Sequence, residues 1–469
     1  MLTDTQNFID TVRANADFFN TNEGVIITRA PGRLDVMGGV ADYCGSLVLQ
    51  LPIADATHVA IQKSPTNSIN ALSLGTTPGH NRCIEVDLSE FISSGQPIEY
   101  SEAQRNFADS KIHWAAYVTG VFLVLMREKS VRFDQGARIL IKSDVPEGKG
   151  VSSSAAIEVA VMKAVVSAFN IDLQPQELAT LCQKLENLIA GAPCGIMDQM
   201  TSACGDENKL LQLVCQPDQL QGNFSLPDDL NLWGIDSGVR HAVTGSDYGT
   251  VRTAAFMGYR IIAELAGLKV SPAEVAGKVS IEDPLWGGYL ANLEPAEFEE
   301  KYLASLPESM SGSDFLSRYH GITDSVTSVK ADTIYPIRKA TQHPVYENAR
   351  VYLFASILTH WNEVGDGFRL GTLMFESHQS YSECGLGSDA TDLIADLVRE
   401  SLNDGLFGAR ITGGGSGGTV AVLGRRDAAG AIENVRKKFH ERTGYLPVII
   451  SGSSPGAVAF DHLRLGKLV

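Results

Sequence analysis

The sequence predicts a globular protein of mixed helices and strands in two or three folding units, and three observations carry that expectation. The chain has 469 residues, 44% hydrophobic and 20% charged, which supplies at least one large core and exceeds the usual size of a single domain. Segments with apolar residues at helical spacing alternate with short runs rich in β-branched and aliphatic residues. Glycine-rich stretches then separate these segments at widely spaced points, with no internal repeat. The strand pattern alone does not fix a topology.

Taken in order, residues 3–20 read as a helix, with Phe8, Ile9, Val12, Ala16 and Phe19 on one face. Val25 to Thr28 reads as a short strand, and a glycine-rich turn follows. Residues 47–62 are aliphatic and β-branched around a proline, which predicts two strands on either side of Pro52. The longest apolar stretch, Trp114 to Met126, carries Thr119 and Gly120 and is too short to cross a bilayer, so a buried helix is expected. A strand at 138–142 leads into a Pro/Gly loop and a helix from about Ser154 to Phe169. A helix at 175–190 runs into GAPCGIMDQ, and 208–213 and 231–236 read as strands. Residues 280–345 hold prolines at 284, 295, 307, 336 and 344 with no clear period, and are expected to elaborate a second domain. Helices at about 346–361, 364–380 and 388–402, a strand-turn-strand unit at 408–424 and a helix at 427–441 complete the chain.

Charge and cysteine usage narrow the function. A net charge of -17 and a pI near 5.0 repel phosphate backbones, so neither a broad nucleic-acid surface nor an anionic membrane surface is expected, and an anionic ligand needs a local site. The seven cysteines, Cys44, Cys83, Cys182, Cys194, Cys204, Cys215 and Cys384, form no CxxC pair, and with a polar N-terminal stretch lacking a secretory pattern they point to a reducing cytoplasm. The ten histidines show no HExxH or HxH spacing, so no metal role is expected of them. Trp233, Trp286 and Trp361 suit the core better than a nucleotide base.

Three glycine-rich stretches bear on chemistry. In PEGKGVSSSAA (146–156), Gly148 and Gly150 precede three serines and an apolar helix. Glycines admit close approach of a ligand, and the free N–H groups of a helix start favour phosphate. The same residues equally suit an ordinary loop and a serine-capped helix. No Walker loop is present, because Gly150 stands where Ser or Thr would follow Lys149. TGGGSGGT (412–419) satisfies GxGxxG at Gly413, Gly415 and Gly418, but a strand follows it, so a dinucleotide fold lacks its helix and a hairpin turn is the plainer reading. The third stretch, APGRLDVMGGVADYCG at 30–45, holds Arg33 and Asp42, residue types that are most often solvated.

Together and in this order, the three stretches resemble the motifs of the GHMP kinase superfamily, galactokinase branch. PGR-LDV-MGG-VA-DY-C-G is similar to the galactokinase opening motif, VPEGKGVSSSAAIEVA to its phosphate loop, and RITGGGSGGTVAVL to its closing glycine motif. ENLIAGAPCGIMDQM (186–200), DSGVRHAVTGSDY (236–248) and FESHQSY (375–381) also resemble galactokinase segments. The wording is nearer still to the kinase portion of plant-type L-arabinokinases, which share phrases like WGGYL (286–290) and HPVYEN (343–348) in the region galactokinases do not explain.

The resemblance implies a two-lobed α+β GHMP kinase fold, with an N-terminal lobe like domain 2 of ribosomal protein S5, a ferredoxin-like C-terminal lobe, and the active site in the cleft between them. It places an N-terminal domain at 1–212 and a C-terminal domain at 213–469, with an insertion at about 280–345. It implies ATP and Mg2+, with phosphate held by Gly148, Gly150, Ser152, Ser153, Ser154, Ala155, Gly414 and Gly415, and the metal by Ser154 and Glu186, Ser153 being the fallback. Asp198 is matched to the residue beside the sugar C1 hydroxyl and Arg33 to the active-site arginine, while Asp42, Gly39, Val40, Gly195 and Tyr248 match sugar-binding positions. Outside the family, Asp198 reads as a helix cap and Glu186 as a solvated helix face.

One departure bears on substrate. Galactokinases carry Glu-His where this chain has Gly39-Val40, and those side chains bond the C6 hydroxyl. L-Arabinopyranose keeps the ring-hydroxyl arrangement of D-galactose and lacks that group. Burying a hydroxyl without a partner costs about 1–3 kcal/mol, roughly one to two decades of selectivity, so L-arabinose 1-phosphorylation is expected. Alternatives are a galactokinase, a uronate kinase, or a non-catalytic sugar and ATP sensor on the same fold. The oligomeric state stays open between monomer and homodimer, and no partner beyond sugar and nucleotide is expected.

Overall fold

How the glycine-rich opening motif places Arg33 becomes clear from its backbone. In the computed structural model, which describes residues 2–75, 82–109, 111–240 and 246–468, the expected short strand does not stop at Thr28. It continues as β1 (Val25–Met37) through Pro31, Gly32 and Arg33, with register shifts between Pro31 and Arg33 and between Asp35 and Met37. Such bulges let a strand absorb a proline and re-aim the side chains that follow.

The two strands expected around Pro52 are likewise one, β2 (Leu47–Lys63). Its start, Leu47–Gln50, pairs with Lys209–Val214, and its end, Thr57–Lys63, with Ala137–Ser143. Pro52 falls between those two neighbours, where its missing N–H interrupts neither ladder.

The remaining strands of this first sheet are β3 (Ser68–Leu74), β4 (Arg82–Asp87), β5 (Ala137–Ser143), β6 (Lys209–Val214) and β7 (Gln219–Ser225). The order is Leu463–Leu465, β1, β2, β5, β3, β4, with β6 and then β7 attached to the first half of β2. β3 and β5 run parallel and the other neighbours antiparallel. The domain division expected after residue 212 falls inside β6. α1 (Thr3–Ala14) is shorter than the 3–20 helix expected, ending in a 3-10 turn at Ala16–Phe18. α2 (Ala116–Lys129) contains the longest apolar run and is a buried core helix, as its composition requires. It packs with α3 (Ser153–Phe169), α4 (Pro175–Leu185) and α5 (Met197–Cys204) in one apolar cluster.

A second, four-stranded antiparallel sheet has the order β9 (Leu406–Ile411), β10 (Thr419–Arg425), β8 (Leu230–Asp236), β11 (Ile449–Ser451). Between β8 and β9 lie α6 (Ser246–Leu265), α7 (Ile337–Thr359), α8 (Gly367–Glu383) and α9 (Asp389–Glu400), and α10 (Ala429–Thr443) follows β10. α9 and α10 bury their apolar faces against this sheet through Ile394, Leu397, Val398, Val435 and Phe439. α6 was not anticipated, because apolar residues surround it on several faces and blur the helical period. α7 begins at Ile337 rather than about 346 and carries the buried Pro344 inside it, so packing overrides the local preference to break there.

The 280–345 region holds short elements, including Pro295–Lys301 and Gly312–Tyr319, whose Phe298, Phe315 and Tyr319 join α6 and α7 in a common core. Trp233 and Trp286 are core residues, and Trp361 is half-buried with its indole N–H donated to Asp229. Among the described residues no helix is long and apolar enough to cross a membrane.

Candidate active site

The residues opening α3 meet β1 at its bulge. Arg33 donates from Nε and Nη2 to Asp198 Oδ1 at 3.0 and 2.7 Å, and from Nη1 to the Gly150 carbonyl at 2.7 Å, while its backbone N–H bonds the Val151 carbonyl. One guanidinium therefore fixes both the carboxylate and the loop before α3. Arg33 is 2% exposed and Asp198 20%, so the arginine is structural cement on one side and the carboxylate stays reachable on the other. Asp198 lies in the first turn of α5, where the helix dipole also favours its charge.

Gly148 and Gly150 have φ of +70° and +69°, values that strain any side chain. Ser152 takes a left-handed φ of +61° as well, a conformation costing an L-residue on the order of 1–2 kcal/mol. The expected serine cap is not made: Ser152 Oγ is buried without a partner, and the first helical turn closes from the Ala156 N–H to the Ser152 carbonyl. The preceding amides of Ser153, Ser154 and Ala155 belong to the turn that helix geometry leaves without intrahelical partners. A strained loop, an orphan hydroxyl and free amides at one helix start suit an anionic group.

Glu186 is buried, not solvated, in a widened π-turn, Glu186–Ala190, that continues α4. Burial pushes its carboxyl up to about 7, the nearby Asp198 charge adds to this, and hydrogen bonds from Ser154, Cys194 and Gln199 oppose it. Gln199 Nε2 donates to Glu186 at 2.5 Å and to Glu158 at 3.2 Å. Glu158 is fully buried, and desolvation beside Glu186 raises it well above the carboxylate range. The Ser154 hydroxyl and Glu186 carboxylate thus present hard oxygen donors side by side.

A third cluster forms around Asp42, in the 3-10 turn Gly39–Cys44. Burial, and then the charge of Asp198, raise Asp42 to about 7, against the pull of Arg252 and the Tyr43 N–H. Gly195 lies on this carboxylate, since a Cβ there would come within 1.7 Å of Oδ2. Tyr248 is buried beside it, packed edge-on to Tyr43 and under the charge of Arg252. Gly39 has φ +47°, and a Cβ on it would stand 1.6 Å from the Tyr381 hydroxyl and 2.7 Å from Arg410 Nη2. Tyr381 donates to the Gly413 carbonyl and accepts from the Val40 N–H, and Val40 itself belongs to the apolar cluster that includes Trp286 and Leu290. Tyr381 and Leu290 therefore enclose the Gly39-Val40 corner instead of leaving it open.

The 412–419 loop closes the arrangement from the second sheet. A Cβ on Gly413 would meet the Gly150 carbonyl at 2.7 Å, one on Gly418 the Lys149 carbonyl at 2.8 Å, and Thr419 Oγ1 donates to that same carbonyl. Gly414 is half-buried in the same turn, whereas Gly415 packs against Leu386. Lys149 pairs with Asp236 of β8 at 3.0 Å and lies over the Tyr445 ring. Arg33, Asp198, Gly150, Ser154, Glu186, Asp42, Gly195 and Tyr248 thus form one connected region at the junction of the two sheets. Sequence reasoning missed Arg252, Asp324, Gln199, Tyr381 and Arg410. Arg252 had a usable signal, because it follows Tyr248 at the i,i+4 spacing of one helix face. Part of the 236–248 segment, residues 241–245, lies outside the described residues.

Comparison with known proteins agrees with this layout. Residues 116–206 match the GHMP kinases N terminal domain, 362–441 the GHMP kinases C terminal domain, and 16–63 the galactokinase galactose-binding signature. A galactokinase of Chloroflexus aggregans is 30% identical over 85% of this chain and 83% of its own length. The chain belongs to the GHMP kinase family. Among other relatives, this GHMP kinase is 42% identical to an L-arabinokinase of Arabidopsis thaliana over 97% of its own length, and spans 48% of that protein. Its fold is that of Lactococcus lactis galactokinase, solved with galactose, at a TM-score of 0.73 and 22% identity, covering 96% and 98% of the two chains. The α+β architecture expected of a GHMP kinase is therefore present.

Proposed function

We propose that this chain transfers the terminal phosphoryl group of ATP to the anomeric hydroxyl of a monosaccharide, with L-arabinose as the substrate. The observation that carries the reading is the Arg33 guanidinium, bonded at once to Asp198 and to the loop that opens α3. Phosphoryl transfer needs a held phosphate chain, neutralised charge and an aligned hydroxyl, and little covalent help beyond that. The amides opening α3 and the orphan Ser152 hydroxyl hold phosphate oxygens, with Gly414 and the rest of the 412–419 turn closing over the loop. Asp198 accepts a hydrogen bond from the C1 hydroxyl, orients it and takes its proton late, while Arg33 holds that carboxylate in place and steadies developing charge.

Ser154 and Glu186 fit Mg2+, an ion that prefers oxygen ligands and keeps several waters. When bound, Mg2+ would neutralise charge on the phosphate oxygens. Asp42, Gly195 and Tyr248 form the sugar face, and Gly39-Val40 the corner beyond C5. In this reading the lobe of the first sheet, which runs on through β7, brings the phosphate loop and Asp198, and the lobe of the second sheet, from β8 onward, closes the cleft, so the boundary expected after residue 212 moves to between β7 and β8. The seven cysteines are all unpaired, which favours a reducing cytoplasm.

The preference for a pentose is supported by the enclosed corner, where the Tyr381 hydroxyl occupies the space a side chain at 39 would need. A uronate would need a free cation there. Arg410 is close and pairs through Nη1 with Asp35 at 2.8 Å beneath the Tyr381 ring, while its buried Nε and Nη2 have no partner among the described residues, so the D-glucuronate arm of the assay decides this point.

A coupled ADP-release assay over L-arabinose, D-galactose, D-glucuronate and D-xylose tests the proposal. kcat/KM for L-arabinose should exceed that for D-galactose by roughly one to two decades. Asp198→Ala should abolish turnover and leave nucleotide binding intact. Comparable use of D-galactose, or no turnover of L-arabinose, removes the substrate assignment.

A further inference from the structure

The segment that galactokinases do not explain supplies one buried charge to the candidate sugar face. Asp324, 4% exposed, accepts from Arg252 Nε and Nη2, both at 2.9 Å, in a two-pronged pair. Its two oxygens also accept the Val326 and Thr327 N–H groups and the Thr327 hydroxyl, so the turn that carries it is wound around the carboxylate. Lys278 locks the same turn by donating to the carbonyls of Asp324 and Thr327.

Arg252 uses its remaining donors on the substrate side. Nη1 bonds the Cys194 carbonyl at 3.0 Å, immediately before Gly195, and the guanidinium lies 5.2 Å from the Tyr43 ring centre, with its charge acting on Tyr248. Its charge acts on Asp42. Each residue assigned to the sugar face except the Gly39-Val40 corner therefore touches Arg252 directly or feels its charge. That corner is backed by the same insertion: the Tyr289 ring packs on Gly45, at 2.5 Å from where a Cβ would sit, and Trp286 and Leu290 join the cluster holding Val40.

We propose that Asp324 is a positioning residue of the sugar site: it fixes Arg252, and Arg252 fixes Tyr248, the Cys194-Gly195 backbone and the orientation of Asp42, so the 280–345 insertion sets sugar affinity from behind the pocket. The proposal rests on the sugar-kinase reading of that pocket. A buried guanidinium without its carboxylate is costly, so loss of Asp324 lets Arg252 turn toward Asp42, on which its charge already acts, and the sugar face distorts. Among the described residues no hydrogen bond of this pair reaches the phosphate loop, which therefore keeps its geometry.

The test uses the full chain, with KM for L-arabinose and for ATP, kcat, sugar Kd by calorimetry without nucleotide, and a thermal unfolding midpoint. Asp324→Asn keeps the shape and removes the charge; sugar KM and Kd should rise by roughly 10- to 100-fold, the effect of losing a hydrogen bond to a charged group, with ATP KM unchanged. Lys278→Met loosens the turn without touching Arg252 and should give a smaller rise in the same constants, which keeps the idea testable if Asp324→Asn does not fold. A purely structural role predicts equal changes in both KM values, and that result, or an unchanged sugar Kd in folded variants, overturns the proposal. A parent protein that binds none of the four sugars overturns the sugar-kinase reading itself.

Discussion

Arg33 shows how much one side chain decides: it is the residue through which a strand bulge, a loop carbonyl and a helix-borne carboxylate become one site. Lysine cannot replace it, because a point cation lacks the planar fork that bonds Asp198 and Gly150 together. Asp42 makes a different claim, about protons. Its pKa is raised to about 7, so between about pH 4 and pH 7 the folded chain keeps a proton that the unfolded chain has released. Its contribution to stability is full below about pH 4 and is lost as pH rises through about 7. Asp42→Asn removes this titration, so the variant's unfolding midpoint should gain on the parent as pH moves from 4 to 8. Sugar affinity should fall at the same time by about tenfold or more, which calorimetry measures.

At the scale of elements, the 412–419 turn is glycine-rich because two loops must touch backbone to backbone. Gly413 combines φ +73° with a carbonyl 2.7 Å from its missing Cβ. Gly413→Ala should cost at least about 1 kcal/mol from the left-handed backbone alone, and more from pushing Gly150 away from Arg33. Gly430, in α10, meets open space, and Gly430→Ala should be neutral or stabilising by up to about 1 kcal/mol. Chemical denaturation of the pair separates the two effects, and a raised ATP KM in Gly413→Ala alone ties the strain to the phosphate loop. The sequence already marked this turn as glycine-rich. It could not mark which glycine approaches the loop and which, like Gly415, packs on Leu386.

For the whole molecule, the relevant contacts cross between the two sheets. Lys149, in the loop before α3, reaches Asp236 Oδ2 of β8, the oxygen that also accepts the Tyr445 hydroxyl, while Oδ1 accepts the Gly238 N–H. Lys149→Met removes a cation from the loop proposed to hold phosphate and a tie between the two sheets. ATP KM should rise by about tenfold or more with sugar KM unchanged, the reverse of the Asp324→Asn pattern, and steady-state kinetics on both substrates distinguishes them. The net charge of -17 makes such local cations matter, since the rest of the surface repels a nucleotide.

Much of the site was legible before any fold was known. Gly148, Gly150 and the serines after them suited phosphate by residue type, whereas Glu186, Asp198, Arg33 and Asp42 were marked only by the resemblance of their stretches to family motifs, since by residue type alone they read as solvated or capping side chains. Helices with a clean period, such as 388–402, were legible for the same reason: the information is local. Three things were not. The passage of β1 through Pro31 and Gly32 depends on a partner strand that accommodates bulges, and α6 depends on burial from several sides. The meeting of Arg252 with Asp324 joins residues far apart in the chain, neither of which carries a local signal for the other. Sequence thus determined which chemical groups the chain owns and in what order, because propensity and spacing act over a few residues. Tertiary structure alone decided which of them share a pocket, because burying a charge requires a specific partner wherever in the chain that partner lies.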